Sequence, residues 1–201
     1  MPVPVLEQVR DEMMNFRGSG MSLMEHSHRG KVYESVHNEA IADLKEIMNI
    51  PEGYTVLFLQ GGATLQNTMI PMNLLGDGTG YYVVTGAWGQ KSAEMGKLVG
   101  KTSVAWSGKS ENYVGVPNLD ELQFPADGSY IHFTSNETIQ GVQFKSDPSN
   151  NAAPLVCDMS SDICSRPVDV SKYGLIYGGV QKNLGPAGMA VVIIRDDLLE
   201  R

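Results

Sequence analysis

Apolar positions along this chain recur first with a helical period, and then in short runs that alternate with further helical stretches. Leu6, Val9, Met13 and Phe16 are spaced three or four residues apart, which predicts a first helix of about three turns, broken at Gly18-Ser19-Gly20. Tyr33, Val36, Ala40, Leu44 and Ile47 predict a second amphipathic helix, stopped by Pro51-Glu52-Gly53. Beyond it, strands are expected at 55–59, 81–85, 102–106, 130–134, 155–158, 175–180 and 189–194, with helices at 65–75 and 90–99. Trp106, on the third of these strands, reads as core. Alternation of this kind predicts an α/β fold: a mainly parallel seven-stranded sheet with helices on both faces. Such sheets bind ligands in a crevice at the carboxyl ends of their strands.

The 201 residues suit one large domain or two small ones. Hydrophobic content of 42% and charged content of 19% fit a folded globular chain and exclude a disordered one. The net charge of −8 is spread without acidic or basic blocks, so neither nucleic acid nor an anionic membrane surface is an expected partner. No apolar run approaches the roughly 20 residues of a membrane span, and no signal-peptide pattern opens the chain. Cys157 and Cys164 are the only cysteines. One ends a buried strand, so both are read as reduced thiols and the cytoplasm as the compartment. The last residues, Arg195-Asp196-Asp197-Leu198-Leu199-Glu200-Arg201, read as the first turns of a helix, and hence as a sign that the chain is a piece of a longer protein.

The candidate chemistry lies at strand ends. The run 175–180 leads into Gln181-Lys182-Asn183-Leu184-Gly185-Pro186, where desolvation can lower the pKa of a lysine and free its amine. The run 154–157 ends in Asp158. A lysine and a carboxylate at neighbouring strand ends suit pyridoxal phosphate, the lysine holding the aldehyde and the aspartate keeping the ring nitrogen protonated. Taken singly, each has an ordinary reading as a solvated lysine or a turn-capping aspartate. Gln60-Gly61-Gly62-Ala63-Thr64 joins a strand to a helix and reads either as a tight turn or as a phosphate-holding helix start. It lacks the glycine spacing of dinucleotide folds and the Gly-Lys ending of nucleotide loops. Trp88 could stack on a flat heteroaromatic ring or belong to the rim of the core. Thr138 could donate to a ring substituent or satisfy its own loop. In His26-Ser27-His28-Arg29, Arg29 could clamp a carboxylate or phosphate, and no ligand cluster accompanies the histidines to make a metal site.

Several of these motifs occur together in one order: Ser27-His28-Arg29, Gly61-Gly62-Ala63, Pro71-Met72-Asn73-Leu74-Leu75, Gly86-Ala87-Trp88, Asn136-Glu137-Thr138-Ile139-Gln140-Gly141, Asp158-Met159-Ser160-Ser161, Ser165-Arg166-Pro167-Val168-Asp169 and Gln181-Lys182-Asn183-Leu184-Gly185-Pro186-Ala187-Gly188. With them the chain resembles the phosphoserine aminotransferases, class V members of the fold-type-I pyridoxal phosphate enzymes. The resemblance implies one cofactor-binding large domain over 1–201, with 1–18 as an N-terminal helix region. It also implies an N-terminal segment and a smaller C-terminal domain outside this chain. Lys182 would carry the cofactor and later move the proton, Asp158 would pair with the pyridine nitrogen, and Trp88 would stack on the ring. Thr138 would touch the ring hydroxyl side, while Ala63, Thr64 and Gln181 would hold the phosphate. His28 and Arg29 would meet the anionic groups of the substrate, His28 serving the neighbouring subunit of a homodimer. The implied reaction moves the amino group of glutamate to 3-phosphohydroxypyruvate, with a related phosphorylated substrate of the pyridoxine pathway beside it. The alternatives are another class V activity, such as alanine–glyoxylate transamination, and a non-catalytic cofactor-binding or interaction domain.

Overall fold

All seven expected strands are present and join into one sheet. The computed structural model describes residues 1–150 and 152–200. The sheet strands are β1 (Tyr54–Gln60), β2 (Thr79–Val84), β3 (Thr102–Ser107), β4 (Gly128–Thr134), β7 (Leu155–Asp158), β8 (Leu175–Gly179) and β9 (Met189–Arg195). Two further strands, β5 (Asn136–Glu137) and β6 (Val142–Gln143), form a small hairpin of their own. The strand order is β1-β9-β8-β7-β4-β2-β3. Only β9 runs against the rest, pairing antiparallel with β1 and β8. Because β9 starts where β8 ends, the turn between them stays at the carboxyl edge of the parallel strands.

Strands β2, β7 and β8 are buried along their whole length. This is why they read as continuous apolar runs rather than as alternating ones. On one face, Tyr82, Tyr130, Val156, Tyr177 and Val192 form a core with Ile70 and Leu74 of α3 (Gly62–Leu74) and Ala93 of α4 (Ala87–Val99). The opposite face is covered by connecting segments and the 3₁₀ helix Val170–Lys172: Phe133 meets Phe144 and Tyr173, and Tyr81 meets Phe124. Trp106 departs from its expected place. It lies on the edge strand β3, most of whose residues are exposed, and is itself only half-buried. The expected terminal helix is a 3₁₀ turn, Asp196–Leu198.

The chain divides into two compact units, Met1–Ile50 and Pro51–Arg201. In the first, α1 (Val3–Glu12) ends a turn earlier than its apolar spacing suggests, and no residue of it is buried. Phe16 is buried, but in a 3₁₀ turn beyond the helix. Helix α2 (Lys31–Ile47) buries Leu44, with Met48 buried just past its end. The first unit also holds an ion pair between Arg17 and Glu39.

A polar chain runs through the core of the second unit. His132 Nε2 lies 3.0 Å from the Tyr177 hydroxyl, which donates to Asn67 Oδ1 at 3.1 Å, and Ser92 donates to the same oxygen at 3.0 Å. His132 Nδ1 is buried without a partner. Burial lowers the imidazole pKa to about 3, so the ring stays neutral in the fold while it would charge near pH 6.5 in the unfolded chain. Between those values the unfolded state binds the extra proton, and stability falls as pH falls. From pH 6.5 to pH 4 the loss is roughly 3 kcal/mol, at about 1.4 kcal/mol per pH unit. Thermal melts of wild type and His132→Gln at pH 7 and pH 4 check this. The wild type should lose clearly more over that interval, and equal losses would remove His132 as the cause.

Candidate active site

The carboxyl edge of the sheet gathers four turns. After β1 the chain makes a left-handed bend, with φ of +92° at Gly61 and +62° at Gly62. A Cβ at Gly61 would stand 2.5 Å from Leu65 Cδ2, so this turn requires glycine for both its backbone and its space. Helix α3 begins at once, and Gly61 offers no side-chain cap. The amides of its first turn, Ala63 and Thr64 among them, are left without a side-chain cap, as in a helix start able to accept an anion. Gly61 N–H donates to the Gly188 carbonyl at 3.1 Å, tying this turn to the one that carries Lys182.

Asp158 ends β7, with Thr134 of β4 and Tyr177 of β8 as its register partners. It is only 8% exposed. Its Oδ1 accepts from the Ser160 amide at 2.9 Å and the Ser160 hydroxyl at 2.6 Å. Ser160 Oγ in turn accepts from Gly179 N–H at 3.0 Å, so the carboxylate is braced against the end of β8. Burial pushes the Asp158 carboxyl above its ordinary value, opposed by the Ser160 bonds and by the Lys182 charge.

Lys182 differs from its expected setting. Strand β8 stops at Gly179, and the lysine sits in a turn closed by Leu184 and Gly185 amides on the Val180 carbonyl. Its side chain is exposed at the cavity mouth rather than desolvated. Its ammonium donates to Thr138 Oγ1 at 3.1 Å and stands 5.6 Å from the centre of the Trp88 ring.

One cavity of about 520 Å³ is lined by Ala63, Thr64, Trp88, Asp158, Gln181 and Lys182. Thr138 is not among its lining residues, but accepts the hydrogen bond from the Lys182 ammonium. His28 and Arg29 are not among its lining residues. They are exposed in the first unit, where they line another cavity with Tyr33, Glu34 and His37. The sequence reading missed Asn67, Asn136, Ser160 and Ser161, all of which line the larger cavity. Two of them lie two and three residues after Asp158, and Asn67 lies one helical turn beyond Ala63 and Thr64. That spacing was the available signal. Among the described residues, no group of three or more His, Cys, Asp or Glu side chains could hold a metal ion, and no helix is long and apolar enough to cross a membrane. An amine, a buried carboxylate, an indole and a helix start without a side-chain cap in one cavity can receive a flat, anionic heteroaromatic molecule.

The aminotransferase class-V family model matches residues 1–201. The chain belongs to the class V aminotransferases. It is 54% identical to a phosphoserine aminotransferase of Geobacillus kaustophilus over all of its own length and 56% of that relative's. The solved phosphoserine aminotransferase of Bacillus circulans subsp. alkalophilus superposes with a TM-score of 0.96 at 51% identity, covering 100% of this chain and 56% of that one. A pyridoxal-phosphate-bound phosphoserine aminotransferase from Trichomonas vaginalis superposes at 0.92 with 42% identity, covering 100% and 60%. This class V chain therefore spans little more than half the length of the relatives it matches.

Proposed function

We propose that this chain is the cofactor-binding large domain of a pyridoxal-phosphate-dependent aminotransferase. Its reaction would move the amino group of L-glutamate to 3-phosphohydroxypyruvate, giving O-phospho-L-serine and 2-oxoglutarate. The observation that carries the reading is the convergence of Lys182, Asp158 and Trp88 with the start of α3 on one cavity, in a chain 54% identical to a phosphoserine aminotransferase. The donor set suits the cofactor. A buried carboxylate whose Ser160 bonds both fall on one oxygen complements a cationic ring nitrogen, and a helix start that Gly61 leaves without a side-chain cap complements a phosphate.

When bound, the cofactor supplies an electron sink for the amino acid's α-carbon. Lys182 would hold it through Nζ and, once the substrate amine has taken its place, would move the proton at that nitrogen, which Thr138 Oγ1 holds by a hydrogen bond. Asp158 would keep the ring nitrogen protonated, Trp88 would stack on the ring, and Ala63, Thr64 and Gln181 would hold the phosphate. In this reading His28 and Arg29 would meet the anionic groups of the substrate, His28 from the second subunit of a homodimer. A row of exposed apolar residues on α1, Val3, Leu6 and Val9 among them, supports such self-association. The cytoplasm is the compartment in this reading, with Cys157 and Cys164, both unpaired, remaining reduced.

The test is to load the chain with pyridoxal phosphate, reduce it with borohydride, map the peptides, and compare amino transfer from glutamate to 3-phosphohydroxypyruvate and to glyoxylate. A pyridoxyl group on Lys182 with preference for the phosphorylated acceptor is expected. Faster transfer to glyoxylate would move the reading to another class V activity. A labelled protein inactive with both acceptors, alone and when extended to the full length of its relatives, would leave a cofactor-binding domain only.

A further inference from the structure

We infer that Glu137 is a positioning residue: its carboxylate anchors the start of α4 and so sets the plane in which the Trp88 ring meets the cofactor. The inference rests on the proposed reading of the cavity as a pyridoxal phosphate site. Glu137 is fully buried, at 0% exposure. Its Oε2 accepts from the Trp88 amide at 3.0 Å and its Oε1 from the Gly89 amide at 2.7 Å. Gln140 Oε1 accepts from the Ala87 amide at 3.1 Å. The residue before the helix, Gly86, contributes no side-chain cap. Three of the amides that a helix start leaves unpaired are thus satisfied from about 50 residues away. The space for this is made by Gly86, where a Cβ would lie 2.5 Å from Gln140 Oε1 and 2.6 Å from Glu137 Cδ.

A carboxylate buried this deeply is costly, and burial does push its pKa upward against the two amide bonds. The positive end of α4 and two charge-assisted bonds offset that cost. What the arrangement provides is orientation. Trp88 Nε1 is buried without a hydrogen-bond partner, so no bond of the indole's own fixes its plane. That plane depends on the backbone of residue 88, which Glu137 grips. The neighbouring residue, Thr138, holds the Lys182 amine. On the other side, Asn136 Nδ2 donates to Ser161 Oγ at 2.8 Å, in the turn that follows Asp158. The strand tip 136–138 therefore sets the indole and the amine together and ties both to the turn beside the acid.

The experiment uses the chain in a Trp106→Phe background, which leaves Trp88 as its one tryptophan. Glu137→Gln keeps the size of the side chain but turns an amide NH₂ toward a backbone N–H. The readouts are the near-ultraviolet circular dichroism of Trp88 without cofactor, the visible circular dichroism of bound pyridoxal phosphate, and its Kd. Both dichroic bands should weaken and Kd should rise about tenfold, the equivalent of one lost charge-assisted hydrogen bond. In a Trp88→Ala background, the same Glu137→Gln change should leave Kd within about twofold, because the cycle removes the residue through which Glu137 acts. A lowered melting temperature with both bands and Kd unchanged would overturn the inference and leave Glu137 a helix cap only. So would an equal loss of affinity in both backgrounds. If Glu137→Gln does not fold, Glu137→Asp, which withdraws the carboxylate by one methylene, is read by the same cycle and criteria. Failure of the unmutated chain to take up pyridoxal phosphate would overturn the cofactor reading, and the inference with it. Uptake with no response to Glu137 overturns the inference alone.

Discussion

Lys182→Ala is expected to abolish covalent capture of pyridoxal phosphate and to lower amino transfer by about 10⁴-fold, the upper range for loss of a positioned acid–base group that is also the nucleophile. The geometry leaves no substitute. Lys182 is the one lysine among the residues lining the cavity, and its ammonium is already aimed across the mouth by Thr138 and the Trp88 ring. The cavity itself should survive, because the turn at 180–185 is closed by backbone bonds that do not involve this side chain. Mass mapping after borohydride reduction should therefore find no pyridoxyl peptide, while a melt finds the fold intact. A label appearing on another lysine, or turnover within tenfold of wild type, would end the assignment.

Asp158→Asn is expected to leave attachment at Lys182 possible but to slow amino transfer by about 10²–10³-fold, the usual cost of removing one preorganised electrostatic partner. Burial already disfavours the negative charge of Asp158, and the Ser160 bonds and the Lys182 charge oppose that effect. A cation beside the carboxylate would favour ionisation further, and the carboxylate in turn would keep that cation protonated. An amide carries no charge with which to do so. The substitution keeps the volume and can still accept from Ser160, so the brace between β7 and the end of β8 should persist. Single-turnover rates with glutamate across pH separate the two effects. A wild-type rate in the variant would remove Asp158 from this role.

The strand pattern was legible because it is local. Buried runs such as 155–158 and 175–179 announce themselves by composition, and the glycine pair 61–62 marks a bend that few other residues could make. Helix ends were less legible. The apolar spacing from Leu6 to Phe16 continues past the point where α1 stops, because Phe16 is buried by a 3₁₀ turn and not by the helix. The exposure of Lys182 was misjudged for a similar reason. Strand β8 ends at Gly179 and Val180 is still buried, but the turn then carries residues 181–184 out into solvent.

By itself, the sequence determined the α/β alternation, the glycine-marked turn before α3, and the presence of a lysine, an aspartate and a tryptophan at or just beyond strand ends. These follow from side-chain periodicity and backbone sterics, which act over a few residues. Only the tertiary structure decided that β9 enters the sheet antiparallel between β1 and β8, bringing the Gly61 turn against the Lys182 turn through the bond to Gly188. It also decided that Glu137 caps a helix begun 50 residues earlier in the chain. Strand order and capping across elements depend on which surfaces bury one another, and no local pattern encodes that choice.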